Sequence, residues 1–218
     1  MSEATPILQF GTSRFLLAHA DFFVSEALEA GKALGKIAIV QTTGNAQSAA
    51  RIAALGNPDG YPVRIRGLKN GVAVDEERRG MAVAFGLSAN QDWQTVREIA
   101  SGAKVIISNT GDKGYELDSD DTVELADDFT RVPKSFPAKL CLLLLERWQL
   151  HPESEISIFP CELIPRNGDR LKDIIRGLAD SWQLPAGFMF YLMEKCRFAN
   201  SLVDRIVSEP IEPIGAVA

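Results

Sequence analysis

The chain has 218 residues, 46% hydrophobic and 24% charged, the make-up of an ordinary water-soluble protein with room for one large α/β domain or two small ones. Its formal charge of −6 excludes the basic excess expected of a general nucleic-acid binder. Three separated cysteines (Cys141, Cys161, Cys196) form neither a CxxC pair nor a zinc pattern with the two histidines, and no apolar run is long enough to span a bilayer.

Met1-Ser2-Glu3 lacks the basic and apolar regions of a signal peptide, so free thiols in a reducing cytoplasm are expected. Ile7–Phe10 reads as a buried strand. Gly11 turns it into an apolar helical pattern from Phe15 to Leu28, with Gly31 as a stop. Ile37–Gln41 is a second buried strand, followed by the turn TTGN and an Ala-rich helix over Gln47–Leu55. Tyr61–Gly67 and Val72–Arg78 then alternate around Lys69-Asn70-Gly71, and Asn-Gly between alternating runs predicts a hairpin. Gly80–Leu87 is expected to add a third strand to this insertion. Asp92 is placed to cap a helix running to about Ser101, and Val105–Ser108 is a β-branched strand ending in Asn109-Thr110-Gly111. An acidic surface loop with a short helix fills Gly114–Pro133. Pro137 opens a helix, Glu155–Phe159 is a strand, and Asp169–Trp182 and Ala186–Lys195 are helical. Leu202–Val207 reads as a last strand.

This alternation predicts an α/β, Rossmann-like, doubly wound and mostly parallel sheet, with an antiparallel hairpin insertion around residues 61–87. The whole chain, 1–218, reads as a single dinucleotide-binding domain. In such sheets ligands bind beyond the carboxyl ends of the strands, which selects the turns after Phe10, Gln41, Ser108 and Phe159.

The dinucleotide fingerprint G-x-G-x-x-G supplies a tight turn, close approach of pyrophosphate, and helix–strand packing. Here its three positions hold Gly11, Ser13 and Leu16. Ser13 still permits approach and offers a hydroxyl, Arg14 adds a positive charge, and Leu16 pushes the helix outward. No Asp or Glu occurs between Glu29 and Asp59, so Gln41, Thr42, Thr43 or Asn45 would meet a ribose 2′-hydroxyl. Arg51 or Lys36 would instead favour a 2′-phosphate, which leaves NAD against NADP open.

Seven segments in order, LQFGTSRFLLAH, VSEALEAGK, GLKNGVAVDE, VIISNTGDKGYELD, SFPAKLCLLLLERW, PCELIPRNGDRLKDII and FANSLVDRIV, resemble the long-chain mannitol dehydrogenase family, most of all its tagaturonate reductase (altronate oxidoreductase) subgroup. The resemblance implies a metal-free oxidoreductase that uses NAD, with NADP not excluded. A hydride would pass between nicotinamide and a keto sugar acid such as tagaturonate, in hexuronate metabolism. It implies that Phe10, Gly11, Thr12, Ser13, Arg14 and Phe15 hold the pyrophosphate and adenosine side, with Thr42 and Thr43 beyond them. Asn109 and Thr110 would line the nicotinamide ribose. Glu162, Asn167, Asn200 and Asp204 would lie toward the substrate, with Arg205 beside Asp204. His19 matches the family's Ala-His pair. Leu17 and Leu163 stand where the family more often has arginine and asparagine.

The family's catalytic lysine lies in a helical domain beyond the matched part, and no residue here is assigned as catalytic. Lys139 and Lys195 are the lysines near the candidate segments, and a solvated or packing role is expected of both. The isolated chain is therefore expected to bind nucleotide with little turnover, and to pair with a C-terminal domain absent from this sequence. The alternatives are a stand-alone nucleotide-binding or regulatory module, and a methyl-donor-dependent transferase built on the same turn.

Overall fold

The computed structural model describes residues 5–42, 46–111, 113–203 and 205–208. Six strands form its main sheet: β1 (Ile7–Phe10), β2 (Ile37–Gln41), β5 (Val83–Ser88), β6 (Val105–Ser108), β7 (Ile156–Pro160) and β8 (Cys196–Phe198). The order is β5-β2-β1-β6-β7-β8, and every neighbouring pair is parallel. A separate antiparallel hairpin joins β3 (Tyr61–Lys69) to β4 (Val72–Gly80).

Strand periodicity sorts the core into two layers. Leu8, Phe10, Ala38, Val40 and Ile106 face one layer, built with α4 (Trp93–Gly102), α5 (Phe136–Leu150), α6 (Asn167–Ser181) and α7 (Ala186–Glu194). Ile7, Ile37, Ile39 and Ile107 face the other, with Leu16 of α1 (Arg14–Ala18) and Phe22 of α2 (Ala20–Glu29). Each fully buried Leu, Ile or Phe here contributes about 1.5–3 kcal/mol. The Ala-rich α3 (Ala46–Leu55) packs by β5. Helix α5 is apolar almost all round because it is buried from Phe136 to Leu145. Ser135 caps it by accepting from the Ala138 N–H, and Pro137 sits in the first turn.

The hairpin forms as its sequence requires. Asn70 and Gly71 have φ of 54° and 80°, the two positive values that a primed two-residue turn demands. Its base is tied to the domain by the Tyr61 hydroxyl, which donates to the Leu17 carbonyl at 2.7 Å. Ser25 Oγ accepts from the Met81 and Ala82 N–H groups.

Three sequence expectations are corrected. Residues 83–88 do not extend the hairpin but pair in parallel with β2 at the edge of the main sheet. The helix expected over Phe15–Leu28 is broken at His19, whose φ of −122° and ψ of −88° end α1 and start α2. The last strand is Cys196–Phe198, and the described residues of 202–207 are not in a strand. Asp92 is the N-cap residue of α4 as expected, with its carbonyl accepting from the Val96 N–H, while its carboxylate accepts from the Ser88 N–H of β5. A local pattern marks an apolar run without saying which distant edge it will join.

Candidate nucleotide site

The strand order runs one way from β1 to β2 and β5, then crosses back to β6 on the other side of β1. The strand order therefore reverses between β1 and β6, the switch point beyond whose carboxyl ends sheets of this kind form their binding crevice. The two turns there are in contact. The Asn109 N–H donates to the Phe10 carbonyl at 2.9 Å, and the Gly11 N–H donates to the Val40 carbonyl at 3.0 Å. Gly11 has φ of 114°, and a Cβ on it would lie 2.3 Å from the Asn109 carbonyl oxygen. Glycine is demanded here twice, by conformation and by space.

Ser13 caps α1, its Oγ accepting from the Leu16 N–H at 3.2 Å, which leaves its own hydroxyl proton available to an anion. Thr12 is buried, and its hydroxyl donates to Gln41 Oε1 at 2.6 Å, joining the first turn to the end of β2. Arg51 of α3 reaches the Thr12 carbonyl at 3.4 Å. Arg14 and Thr42 are half-buried at the same end. Phe10 points into the core against Phe136, so only its backbone belongs to the turn. Phe15 stacks on His19, which in turn meets Phe23. Burial, then the charge of Arg205, holds the His19 pKa below its usual value. Leu16 fills the third fingerprint position as a fully buried core residue. Thr43 and Asn45 lie outside the described residues.

On the β6 side, Asn109 donates from Nδ2 to the Cys161 carbonyl at 2.7 Å. Glu162, 3% exposed, is the hub of this turn. Its carboxylate accepts from the Ser108 hydroxyl, the Thr110 N–H and hydroxyl, and the Tyr115 hydroxyl, at 3.1, 3.1, 3.0 and 3.3 Å. Asn167 is fully buried, and its Nδ2 donates to the Pro160, Glu162 and Ser201 carbonyls. Asn200 is exposed and bonded to Asp169 at the start of α6. Glu162 and Asn167 thus brace the turns, while Leu163 between them stands 82% exposed. Asp204 lies outside the described residues, and Arg205 reaches the Ala18 carbonyl and the Phe23 ring.

Each of the two lysines has a local partner. Lys139 is buried with Nζ donating to the Lys134 carbonyl, and burial lowers its pKa to about 8. Lys195 pairs with Glu153 at 2.9 Å. The three cysteines are buried free thiols, pushed up by burial to about 12, 11 and 12 for Cys141, Cys161 and Cys196. Among the described residues no group of three or more His, Cys, Asp and Glu is arranged to hold a metal ion, and no helix is long and apolar enough to cross a membrane. Sequence reasoning missed Ser108, Tyr115, Gln9 and Asp21. The available signal was a polar residue inside an apolar strand or helix pattern.

Comparison with known proteins agrees with this fold. The mannitol dehydrogenase Rossmann domain matches residues 6–212. An altronate oxidoreductase of Bacillus subtilis (strain 168) is 33% identical over 97% of this chain and 44% of its own length. One from Halalkalibacterium halodurans is 30% identical over 92% and 39%. The chain thus spans less than half the length of these relatives. Among solved structures, Pseudomonas fluorescens mannitol 2-dehydrogenase in a ternary complex with NAD and D-mannitol superposes with a TM-score of 0.75 at 17% identity, covering 94% of this chain and 42% of that one. A substrate-free D-sorbitol dehydrogenase gives 0.73 at 19%, covering 91% and 42%. At these identities the two structures share the fold.

Proposed function

The chain belongs to the mannitol dehydrogenase family as its Rossmann domain, and on that premise we propose that it binds NAD for an oxidoreductase acting on a sugar acid of the altronate–tagaturonate pair. The observation that carries this reading is the contact of the β1 and β6 turns at the switch point, with Gly11 pressed against Asn109. The donor set fits a dinucleotide. The Thr12–Arg14 turn offers backbone N–H groups, the Ser13 hydroxyl and a guanidinium toward pyrophosphate. Asn109 and Thr110 face the nicotinamide ribose, with Glu162 holding their turn. Gln41 and Thr42 stand where an acid often meets the adenosine ribose.

Bound nicotinamide supplies the hydride chemistry, and the domain supplies binding and orientation. The altronate–tagaturonate assignment rests on the names of the relatives. A proton donor for the substrate oxygen is assigned to the half of those relatives that this chain does not match. Glu162, Asn167, Asn200 and Asp204 are proposed to approach the substrate side, the first two by bracing the turns.

Fluorescence titration with NADH and NADPH tests the cofactor assignment. Saturable NADH binding is expected, and no binding of either at about millimolar concentration in folded protein overturns it. Tagaturonate-dependent NADH oxidation by the full-length protein tests the substrate. Faster turnover of fructose or fructuronate would reassign it.

A further inference from the structure

Beneath the Gly11 turn, Gln9 of β1 and Asp21 of α2 are both fully buried. Gln9 Nε2 donates to the Gly11 carbonyl at 3.3 Å and to Asp21 Oδ2 at 3.2 Å. The remaining oxygens of the same two side chains, Gln9 Oε1 and Asp21 Oδ1, are buried with no hydrogen-bond donor. Two orphaned acceptors on side chains already joined by a hydrogen bond are costly, and a native interior rarely keeps them. One proton removes both. Placed on Asp21 Oδ1, it becomes the donor that Gln9 Oε1 lacks, and an acid and an amide close into a cyclic pair.

We propose that Asp21 is a neutral carboxylic acid donating from Oδ1 to Gln9 Oε1, and that this acid–amide pair is a positioning device for the nucleotide turn through the Gly11 carbonyl. The positioning role rests on the reading that this turn holds the dinucleotide.

The surroundings favour the neutral form. Burial pushes the Asp21 pKa up to about 8, against the opposing pull of the Gln9 hydrogen bond. Tyr61 from β3 and Cys161 from the turn after β7 face the carboxyl. Burial raises both, Cys161 to about 11, so each stays uncharged while Asp21 titrates. His19, two residues away, is held below its usual pKa and is neutral in the same range. On α2, Ser25 donates to the Asp21 carbonyl, and Arg78 of β4 pairs with Glu26 and Glu29. Loss of the proton leaves a buried charge and returns both orphaned oxygens to having no donor. The pair then keeps only the Nε2 bond of Gln9, and the side chain that also holds the Gly11 carbonyl is freed to shift.

Two measurements on the full-length protein test this. In carbon-13 NMR of aspartate carboxyls, one is expected to titrate near pH 8. Ionisation of every aspartate in the ordinary acidic range overturns the neutral acid. In NADH titrations across pH, wild-type affinity is expected to fall about fivefold over the first pH unit above that midpoint and about tenfold over the next. Asp21→Asn, neutral at every pH, should remove this fall, and an unchanged profile in Asp21→Asn overturns the positioning role. Should Asp21→Asn fail to fold, a wild-type binding midpoint that does not track the carboxyl midpoint overturns it instead. Absence of NADH binding at every pH sinks the functional reading and the positioning role together, while the carboxyl titration still decides the protonation state.

Discussion

Gly11 carries more of the site than any other single residue. Its φ of 114° lies where a side chain is strained, and the Asn109 carbonyl occupies the place of a Cβ. Gly11→Ala should therefore do two things at once. It should destabilise the fold by roughly 1–3 kcal/mol, the cost of a strained backbone position, and it should abolish NADH binding by parting the two turns. Chemical denaturation and fluorescence titration read the two effects separately. A variant that folds and binds normally would show that the turns do not need this contact. The neighbouring fingerprint positions have divided the remaining work differently. Ser13 closes the first helical turn with its own side chain, while Leu16 spends the third position on core packing. The pattern of glycines was therefore a poor guide, because two of its three tasks are met by other chemistry.

At the scale of elements, the β6 turn is held from below by the segment that follows β7. Glu162 accepts four hydrogen bonds from Ser108, Thr110 and Tyr115. Removing it leaves the Ser108 and Thr110 donors unsatisfied, while Tyr115 keeps the Asn167 carbonyl. Glu162→Ala is expected to weaken NADH binding by about tenfold or more, since each hydrogen bond to a charged group is worth about 1.5–3 kcal/mol. If Glu162 acted only on substrate, NADH affinity would stay unchanged and the sugar-acid KM alone would rise. Helix α6 begins close beneath the same region. Gly168 lies where a Cβ would meet the Ala199 carbonyl at 2.4 Å, which fixes how near α6 approaches the end of β8. Most elements were legible in the sequence because each strand or helix leaves its own period in the pattern. Strand β5 was misplaced because its partner, β2, lies far away in the chain and leaves no mark on residues 83–88. The break at His19 was equally hidden, since apolar residues continue through it at helical spacing.

For the whole molecule, the buried carboxyl of Asp21 makes stability depend on pH in a particular sense. Its folded-state pKa of about 8 lies above its ordinary value of 3.8. Below 3.8 both folded and unfolded chains hold the proton and nothing is lost. As pH rises toward 8 the unfolded chain ionises first, so this group's contribution to stability declines, and above 8 it levels off. Asp75 and Asp169, held below their usual values by hydrogen bonds and arginines, act in the opposite sense at acid pH. The difference in stability between wild type and Asp21→Asn isolates the first effect, and is expected to grow in favour of the variant from pH 4 to pH 8. A constant difference over that range would mean an ionised Asp21. None of this was visible in the sequence. Gln9 sits in a run that reads as plain strand, and Asp21 in one that reads as plain amphipathic helix. Only the packing of α2 on β1 makes them neighbours. The two-layered core was legible from the alternation of Ile7 with Leu8 and of Ile37 with Ala38, because burial on both faces leaves a run of apolar residues that only Gln9 interrupts in β1. Most of the hairpin β3–β4 stands apart from both layers: from Ile65 to Arg79 its residues are half-buried or exposed, and Leu68 and Val72 at the tip are 78% and 68% exposed. It is anchored at its base by Tyr61 and by the chain just beyond Gly80. A peptide tag, a fluorophore or a new chain break at Asn70-Gly71 would therefore be read by the outside world and ignored by the sheet, which makes that turn the natural handle for immobilising or watching this protein while the crevice stays free.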